Sequence, residues 1–179
     1  YWRHVGFINV DGEKMSKSLG NFFTIRDVME KFHPEVIRYF IVSSHYRSPV
    51  NFSDFALKEA KNALTRFYHA FKAYEQVYGQ NTVDTLENTL VERFNTAMRD
   101  DFNTSESLAV LFEIIKELNR AVKEENAEQS AVYYSTLRYL SNILGLGQHN
   151  VDDFLKSDIG QEALGLSESD IEDLIQQRV

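Results

Sequence analysis

Apolar residues recur at the spacing of an α-helix through most of the chain. From Ser53 onward they follow one another in steps of three and four, which places them on one face of a helix. Ser53 suits the N-cap of the first such helix, and Gly79 suits its end. The predicted buried stripe of this helix consists of Leu57, Ala60, Leu64, Phe67, Phe71, Tyr74 and Tyr78. Such regular spacing favours core packing of the aromatic rings over stacking on RNA.

Three further helices with one apolar face follow. The same spacing marks a helix over residues 90–98, a second that starts at Asn103 or Thr104, and a third that ends before Gly145. Helices joined by short connections pack side by side in opposite directions. The expected architecture of this part is an antiparallel bundle of four or five helices.

Two acidic segments stand out, one between the predicted helices and one after them. Residues 100–104 predict a helix stop and an N-cap, and we prefer this interpretation to a metal site because no further ligand is evident. Residues 152–173 predict a solvated acidic face. Ser167, with an acidic residue three positions later, predicts the cap of a last helix.

Short elements occupy the first fifty residues. Residues 5–10 are apolar and end at the turn-forming pair Asp11-Gly12, which predicts a short buried strand. Thr24 and Asp27 predict a capped helix start, and Pro34 predicts the first turn of a second helix, whose apolar positions run to residue 41. The chain is therefore expected to be mainly α, with the tail of an α/β domain before the bundle.

Composition narrows the functional class. The 179 residues carry a net charge of −8, which argues against general nucleic-acid binding. The first fifty residues carry a net charge of +2, so any RNA contact is expected there. With no cysteine and five scattered histidines, we expect no disulfide and no metal site, and the composition fits a cytoplasmic protein. We see neither a membrane-spanning run nor a signal peptide.

A polar segment after the predicted strand is suited to phosphate. It reads Lys14-Met15-Ser16-Lys17-Ser18. Lysine carries a compact positive charge with three donors, and serine hydroxyls add further hydrogen bonds. Nucleotidyl transfer depends on positioning and on neutralising charge as it develops. Two lysines on one loop can therefore stabilise a departing pyrophosphate.

The same five residues, KMSKS, are a signature of class I aminoacyl-tRNA synthetases. Five ordered segments match the cysteinyl branch of that family, namely residues 1–7, 11–22, 38–40, 45–48 and 100–104. Five ordered segments are far more specific than one pentapeptide. The chain therefore resembles cysteinyl-tRNA synthetases along its whole length, as a C-terminal piece that starts just before the KMSKS loop.

The resemblance implies an enzyme that joins cysteine to its tRNA through a cysteinyl-adenylate. Its partners would be ATP with Mg²⁺, cysteine and tRNA(Cys). Catalysis is assigned by resemblance to Lys14 and Lys17, and ATP binding to the same two lysines together with Ser16, Ser18 and His4. For His4, a structural role in the strand is at least an equal alternative.

The resemblance also assigns tRNA binding to His45, Tyr46 and Arg47. A stacking ring and a guanidinium suit RNA bases and backbone. A polar helix C-cap that satisfies nearby carbonyls explains the same residues equally well. Arg47 is the strongest RNA-contact candidate of the three.

A division into three parts follows from the resemblance. Residues 1–23 would be the tail of a Rossmann-like catalytic domain with the KMSKS loop, residues 24–51 a stem-contact region, and residues 52–179 a DALR-like, tRNA-binding helical bundle. The other class I signature and the zinc ligands of the full-length enzyme would lie upstream. The isolated chain is therefore expected to be inactive, as part of a monomeric cytoplasmic enzyme.

Two alternatives remain open. The cysteine ligase of mycothiol synthesis activates cysteine in the same way but delivers it to an amino-sugar. The intact segment from His45 to Arg47 and the complete bundle favour the tRNA enzyme. A non-catalytic helical RNA-binding module is the second alternative, in which the KMSKS loop would have no role.

Overall fold

The computed structural model describes residues 2, 4–21 and 23–162 and confirms a mainly helical chain with a small sheet. The chain divides into two compact units, one up to Gln148 and one from His149 onward. The first unit contains the sheet and six α-helices, and the second contains one described helix. The helix predicted after Ser167 lies outside the described residues.

A three-stranded sheet organises the first fifty residues. It consists of β1 (Ile8–Val10), β2 (Glu13–Lys14) and β3 (Val50–Phe52), in the order β2-β1-β3. β1 is antiparallel to β2 and parallel to β3. Asp11 and Gly12 connect β1 to β2 with φ values of 49° and 87°, as a two-residue type I′ hairpin requires. The predicted turn is confirmed, whereas β2 and β3 are too short to have been recognised.

The buried strand predicted over residues 5–10 is wrong in extent and in burial. Only Ile8–Val10 forms a strand, and the side chains of Val5 and Phe7 are 73% and 66% exposed. The backbone before Ile8 pairs with the irregular segment before β3, through Gly6 N–H to the carbonyl of Tyr46 at 2.8 Å. The side chains of Val5 and Phe7 are therefore not buried by the helices.

Several of these exposed residues line an apolar groove of about 540 Å³. Val5 and Ile8 line it from the sheet, Ile41 from the helix that starts at Pro34, and Phe102 from the bundle. Ile41 was among the apolar positions predicted for this helix, but it is 46% exposed. Tyr39 and Phe40 are buried on the face of the helix that packs inward.

Two helices connect β1 and β2 to β3. α1 (Ile25–Met29) starts at Thr24, whose side chain accepts from the N–H of Asp27 while the Asp27 carboxylate accepts from Thr24 N–H. Hydrogen bonds to the Asp27 carboxyl from the backbone of Thr24, and then from its side chain, lower the pKa of that carboxyl. α2 (Pro34–Val42) has Pro34 in its first turn. Both predicted helix starts are confirmed.

Four helices form the bundle of the first unit. They are α3 (Asp54–Tyr78), α4 (Asn88–Arg99), α5 (Thr104–Lys123) and α6 (Ala127–Ile143). α5 contacts α3, α4 and α6, and short connections on both sides of α5 favour antiparallel neighbours. The largest fully buried side chains are Tyr68, Tyr134, Phe67, Phe71, Phe94, Leu57, Leu64, Leu111, Ile114, Leu118, Leu137 and Leu140.

The aromatic stripe of α3 is part of this core. Phe67 and Phe71 are fully buried, and the ring of Phe67 lies edge-on to Phe112 of α5 with centroids 5.2 Å apart. Phe67 also meets Tyr39 of α2 edge-on at 6.3 Å. Core packing is therefore confirmed for this stripe, and stacking on RNA by its buried rings is excluded.

The second unit contains α7 (Val151–Glu162). Asn150 Oδ1 accepts from the N–H groups of Asp152 and Asp153, as an N-cap does. Asp152 and Asp153 are exposed, as predicted for the acidic face, while Val151, Phe154 and Leu155 form a buried apolar face on the same helix. The predicted face from residue 163 to residue 173 lies outside the described residues.

In the part of the chain that the structure describes, every helix is too short or too polar to span a membrane.

Candidate functional site

The KMSKS loop begins on an edge strand and ends in a short helical turn. Lys14 is the last residue of β2, and Lys17 begins a 3₁₀ turn over Lys17–Leu19. Both lysines are exposed. Among the described strands β2 pairs with β1 alone, so Lys14 lies at the border of the sheet, and Lys17 lies in the turn that follows.

Asn21 holds the loop closed. Its Oδ1 accepts from Ser16 N–H at 2.8 Å, and its Nδ2 donates to the carbonyl of Lys14 at 3.3 Å. The hydroxyls of Ser16 and Ser18 lie 3.1 Å apart. Gly20 has a φ of 68°, which allows the chain to turn back toward Asn21. The structure therefore brings Ser16, Lys17 and Ser18 into one compact turn.

The side chain of Lys14 lies over the ring of Phe7, the residue before β1. Its Nζ is 4.7 Å from the centre of the Phe7 ring, a favourable cation–π distance. Met15 is half-buried, and its N–H donates to the carbonyl of Ile8 at 3.3 Å. These contacts attach the start of the loop to the sheet. Lys17 carries the second positive charge of the loop, in the turn that follows.

His4 is exposed and lies four positions before β1. Its assignment to ATP binding stays a prediction from the resemblance alone.

The three residues predicted to contact tRNA lie against the bundle. The hydroxyl of Tyr46 donates to Asp101 Oδ1 at 2.8 Å, and Arg47 Nε donates to the Tyr46 oxygen at 2.9 Å. Arg47 also pairs with Asp101 Oδ2 at 3.0 Å. The His45 ring stacks on Tyr46 at 4.9 Å, with its Nε2 4.0 Å from Asp101.

This geometry gives the segment a structural role in addition to any RNA contact. Asp101 fixes Tyr46 and Arg47 from the connection between α4 and α5, yet the Arg47 side chain remains 64% exposed. An RNA phosphate can therefore approach the outer side of Arg47 without displacing its partner.

Asp101 is the residue of this site that sequence reasoning missed. The prediction of a helix stop and a cap is confirmed, since α4 ends at Arg99 and Asn103 Oδ1 accepts from Glu106 N–H at 3.2 Å. Asp101 and Phe102 both have positive φ, 53° and 56°, which is uncommon outside glycine. No local signal links this carboxylate to residues 55 positions away.

Replacing Gly6 by alanine is expected to destabilise the protein by about 3 kcal/mol, at the upper end for overpacking. A Cβ there would lie 2.2 Å from the carbonyl oxygen of Ser48 and 2.4 Å from its carbon. The backbone atoms of Ser48 cannot rotate away, so the segment before β1 would have to separate from the segment before β3. Urea unfolding measures the loss.

Gly12→Ala is the matched control for that variant. Its φ of 87° makes alanine strained, but no heavy atom lies within 4 Å of the added carbon, so the cost is only the backbone strain of about 1 kcal/mol. Equal losses for Gly6→Ala and Gly12→Ala would contradict the steric argument.

Two family models match the chain. Residues 1–62 match the model described as tRNA synthetases class I (C) catalytic domain, and residues 93–148 match the DALR domain. The first match contains the sheet, the KMSKS loop, α1 and α2. The second runs from α4 to the end of the connection after α6.

Curated relatives are similar to the chain along its whole length. It is 82% identical over 179 residues to a cysteine–tRNA ligase of Acinetobacter baumannii strain SDF. It is 78% identical over 178 residues to one of Acinetobacter baylyi and 47% identical over 178 residues to one of Pseudomonas putida. These matches cover 99–100% of the chain, which spans 37–38% of the length of these relatives.

Among solved structures, the chain is similar to the leucyl enzyme in the ternary complex of Agrobacterium radiobacter K84 agnB2 LeuRS-tRNA-LeuAMS. The TM-score is 0.64 at 18% identity, covering 85% of this chain and 21% of that one. At this identity the likeness supports the fold alone.

Proposed function

We propose, from the premise that the chain belongs to the cysteine–tRNA ligase family of class I synthetases, that it supplies part of an enzyme that attaches cysteine to tRNA with ATP. The observation that carries the proposal is the identity of 82% over all 179 residues. The closed KMSKS turn, with Lys14 and Lys17 exposed on it, supports a role in the ATP-dependent step.

The two lysines act in the first step of the proposed reaction. A carboxylate oxygen of cysteine attacks the α-phosphorus of ATP, the bond to the bridging oxygen breaks, and pyrophosphate leaves with its charge. Lys17 neutralises that developing charge, Lys14 assists, and Ser16 and Ser18 donate hydrogen bonds to phosphate oxygens. In the second step a hydroxyl of the terminal tRNA ribose attacks the activated carbonyl, and AMP leaves.

The metal ions in the proposal come from the family. Mg²⁺ would enter with ATP and neutralise phosphate charge. For zinc, which the resemblance implies for the full-length enzyme, the chain offers no thiolate because it contains no cysteine. No step proposed for these residues depends on zinc.

The RNA-binding part of the proposal rests on the bundle and on Arg47. The DALR match at residues 93–148 supports a tRNA-binding role for the bundle. Arg47, with Tyr46 and His45 stacked beside it, offers an exposed guanidinium to a tRNA phosphate. The division at residues 23 and 51, a monomeric state and a cytoplasmic location belong to the same proposal.

The test uses the complete protein that carries this sequence. Cysteine-dependent exchange between ATP and pyrophosphate, together with charging of tRNA(Cys), is expected. Exchange without charging would instead support the amino-sugar ligase, and absence of exchange would support a binding module. The 179-residue chain assayed alone is expected to show no exchange, and exchange by that chain would overturn the assignment of cysteine binding to residues outside it.

A further inference from the structure

α2 is attached to the bundle by polar contacts at both of its ends. At the start, the Glu35 carboxylate accepts from the Tyr68 hydroxyl of α3 at 2.7 Å and from the N–H of Gly147, after α6. The side chain of Glu35 is buried, with only 4% of the residue exposed. One carboxylate thus joins three separate segments of the first unit.

At its other end, α2 is held by the start of α5. The hydroxyl of Ser105 donates to the carbonyl of Ser43 at 2.9 Å, and that of Thr104 donates to Ser44 at 3.4 Å. These carbonyls follow the last turn of α2 and have no partner within it. The contacts of Asp101 with Tyr46 and Arg47 continue this attachment.

Between the two ends, the contact is apolar. Val36, Tyr39 and Phe40 are buried, and Tyr39 meets Phe67 of α3. Burial of an apolar face is non-directional, whereas hydrogen bonds weaken steeply when their distance and angle depart from the preferred values. Burying a carboxylate is costly, and such groups are retained in some proteins because they specify a single arrangement.

The two attached regions are the two that the family models distinguish. α2 belongs to the segment matched to the catalytic domain, which also carries the KMSKS loop. Gly147 and Thr104 belong to the DALR match, and Tyr68 lies on α3 between the two matches. The contacts of Glu35 and of the start of α5 therefore join the loop-bearing segment to the bundle.

We propose that Glu35, together with Tyr68, is a positioning pair for the transfer of cysteine to tRNA. The inference rests on the proposed function. In this role the pair holds the bundle at the angle that brings bound tRNA to the activated amino acid. Activation itself needs only the loop and the catalytic segment, so the two half-reactions should respond differently when the pair is removed.

The test compares both half-reactions in the complete protein. Glu35→Ala is expected to lower kcat for tRNA charging by about ten- to a hundredfold while exchange stays within about twofold, because misplacement by about 1 Å has effects of this size. Tyr68→Phe should act in the same direction with a smaller effect. If Glu35→Ala does not fold, the Tyr68→Phe variant tests the positioning role by itself.

A conservative variant and a surface control complete the design. Glu35→Gln is expected to restore charging, since its amide oxygen can accept from Gly147 and its amide nitrogen can donate to the Tyr68 oxygen. Glu113→Ala removes an exposed carboxylate that pairs with Arg93 at 2.7 Å and should leave both half-reactions unchanged.

The outcomes separate this inference from the proposed function. A wild-type protein with neither exchange nor charging would overturn the proposed function. A wild-type protein with both activities, whose Glu35→Ala and Tyr68→Phe variants lose exchange and charging in parallel or lose neither, would overturn only the positioning role.

Discussion

Lys17→Ala in the complete protein is expected to lower cysteine-dependent exchange by about 10²–10³-fold, the effect of removing one preorganised charge-stabilising donor. Lys17 begins the turn that Asn21 closes, so its charge is presented from an ordered backbone. The effect should fall mainly on kcat, because the charge on pyrophosphate develops as the bond to the α-phosphorus breaks. Steady-state exchange kinetics with varied ATP measure it.

Lys116→Ala is the matched control. Lys116 is exposed on α5 and lies far from the loop in sequence, so its removal changes net charge equally and should leave exchange unaltered. Lys14→Ala should reduce exchange less than Lys17→Ala, because Lys14 is partly engaged by the Phe7 ring. Unchanged exchange in a folded Lys17→Ala protein would refute the role of the loop.

Arg138→Ala is expected to destabilise the bundle by about 2–3 kcal/mol, because the pair is half-buried and its loss should cost more than that of an exposed ion pair and less than that of a fully buried one. The guanidinium donates to Glu75 Oε1 at 2.7 Å and to the carbonyl of Gly147 at 2.8 Å. Its carbon also lies 3.9 Å from the centre of the Phe71 ring. Removal would leave the Glu75 carboxylate, whose side chain is 10% exposed, without its cation.

Tyr134 does not compensate for this loss. Burial, and then its hydrogen bond to Glu75, raise the pKa of Tyr134 to about 12, so the hydroxyl stays protonated and donates to Glu75 at 2.7 Å. One neutral donor cannot replace the positive charge. The free energy of unfolding, from urea titration followed by circular dichroism, is the quantity to compare.

Two controls sharpen the measurement. Arg93→Ala removes an exposed pair with Glu113 and should cost less than about 1 kcal/mol. The double variant with Glu75→Met and Arg138→Met should recover only part of the loss, because it leaves no charge unpaired but removes the partners of the Tyr134 hydroxyl and the Gly147 carbonyl. A loss for Arg138→Ala no larger than that for Arg93→Ala would show that the pair contributes little.

Local signals account for what was predictable of the fold. The caps at Thr24, Ser53 and Asn103, the first-turn Pro34 and the terminal Gly79 all act within a few residues, and the structure has each where expected. The apolar stripes of α3 to α6 were readable because helical period depends only on local sequence. The strands and α7 gave weaker signals, and β2 and β3 have only two and three residues.

In the candidate site, too, only the features formed by neighbouring residues could be predicted from the sequence. The pentapeptide from Lys14 to Ser18 and the turn before it are contiguous, so their chemistry could be proposed from residue types alone. The exposure of Val5, the pairing of Asp101 with Arg47 and the burial of Glu35 could not, because each depends on a segment distant in sequence.

The sequence by itself therefore determined α1 to α6, several of their caps, the hairpin turn and the pentapeptide that we propose to bind phosphate, since these depend on local geometry and side-chain chemistry. Only the tertiary structure decided which polar groups meet across the fold. Glu35 reaches Gly147 across 112 positions, and Tyr46 reaches Asp101 across 55. Such pairs form only when packing brings distant segments together, and no periodicity in the chain records them.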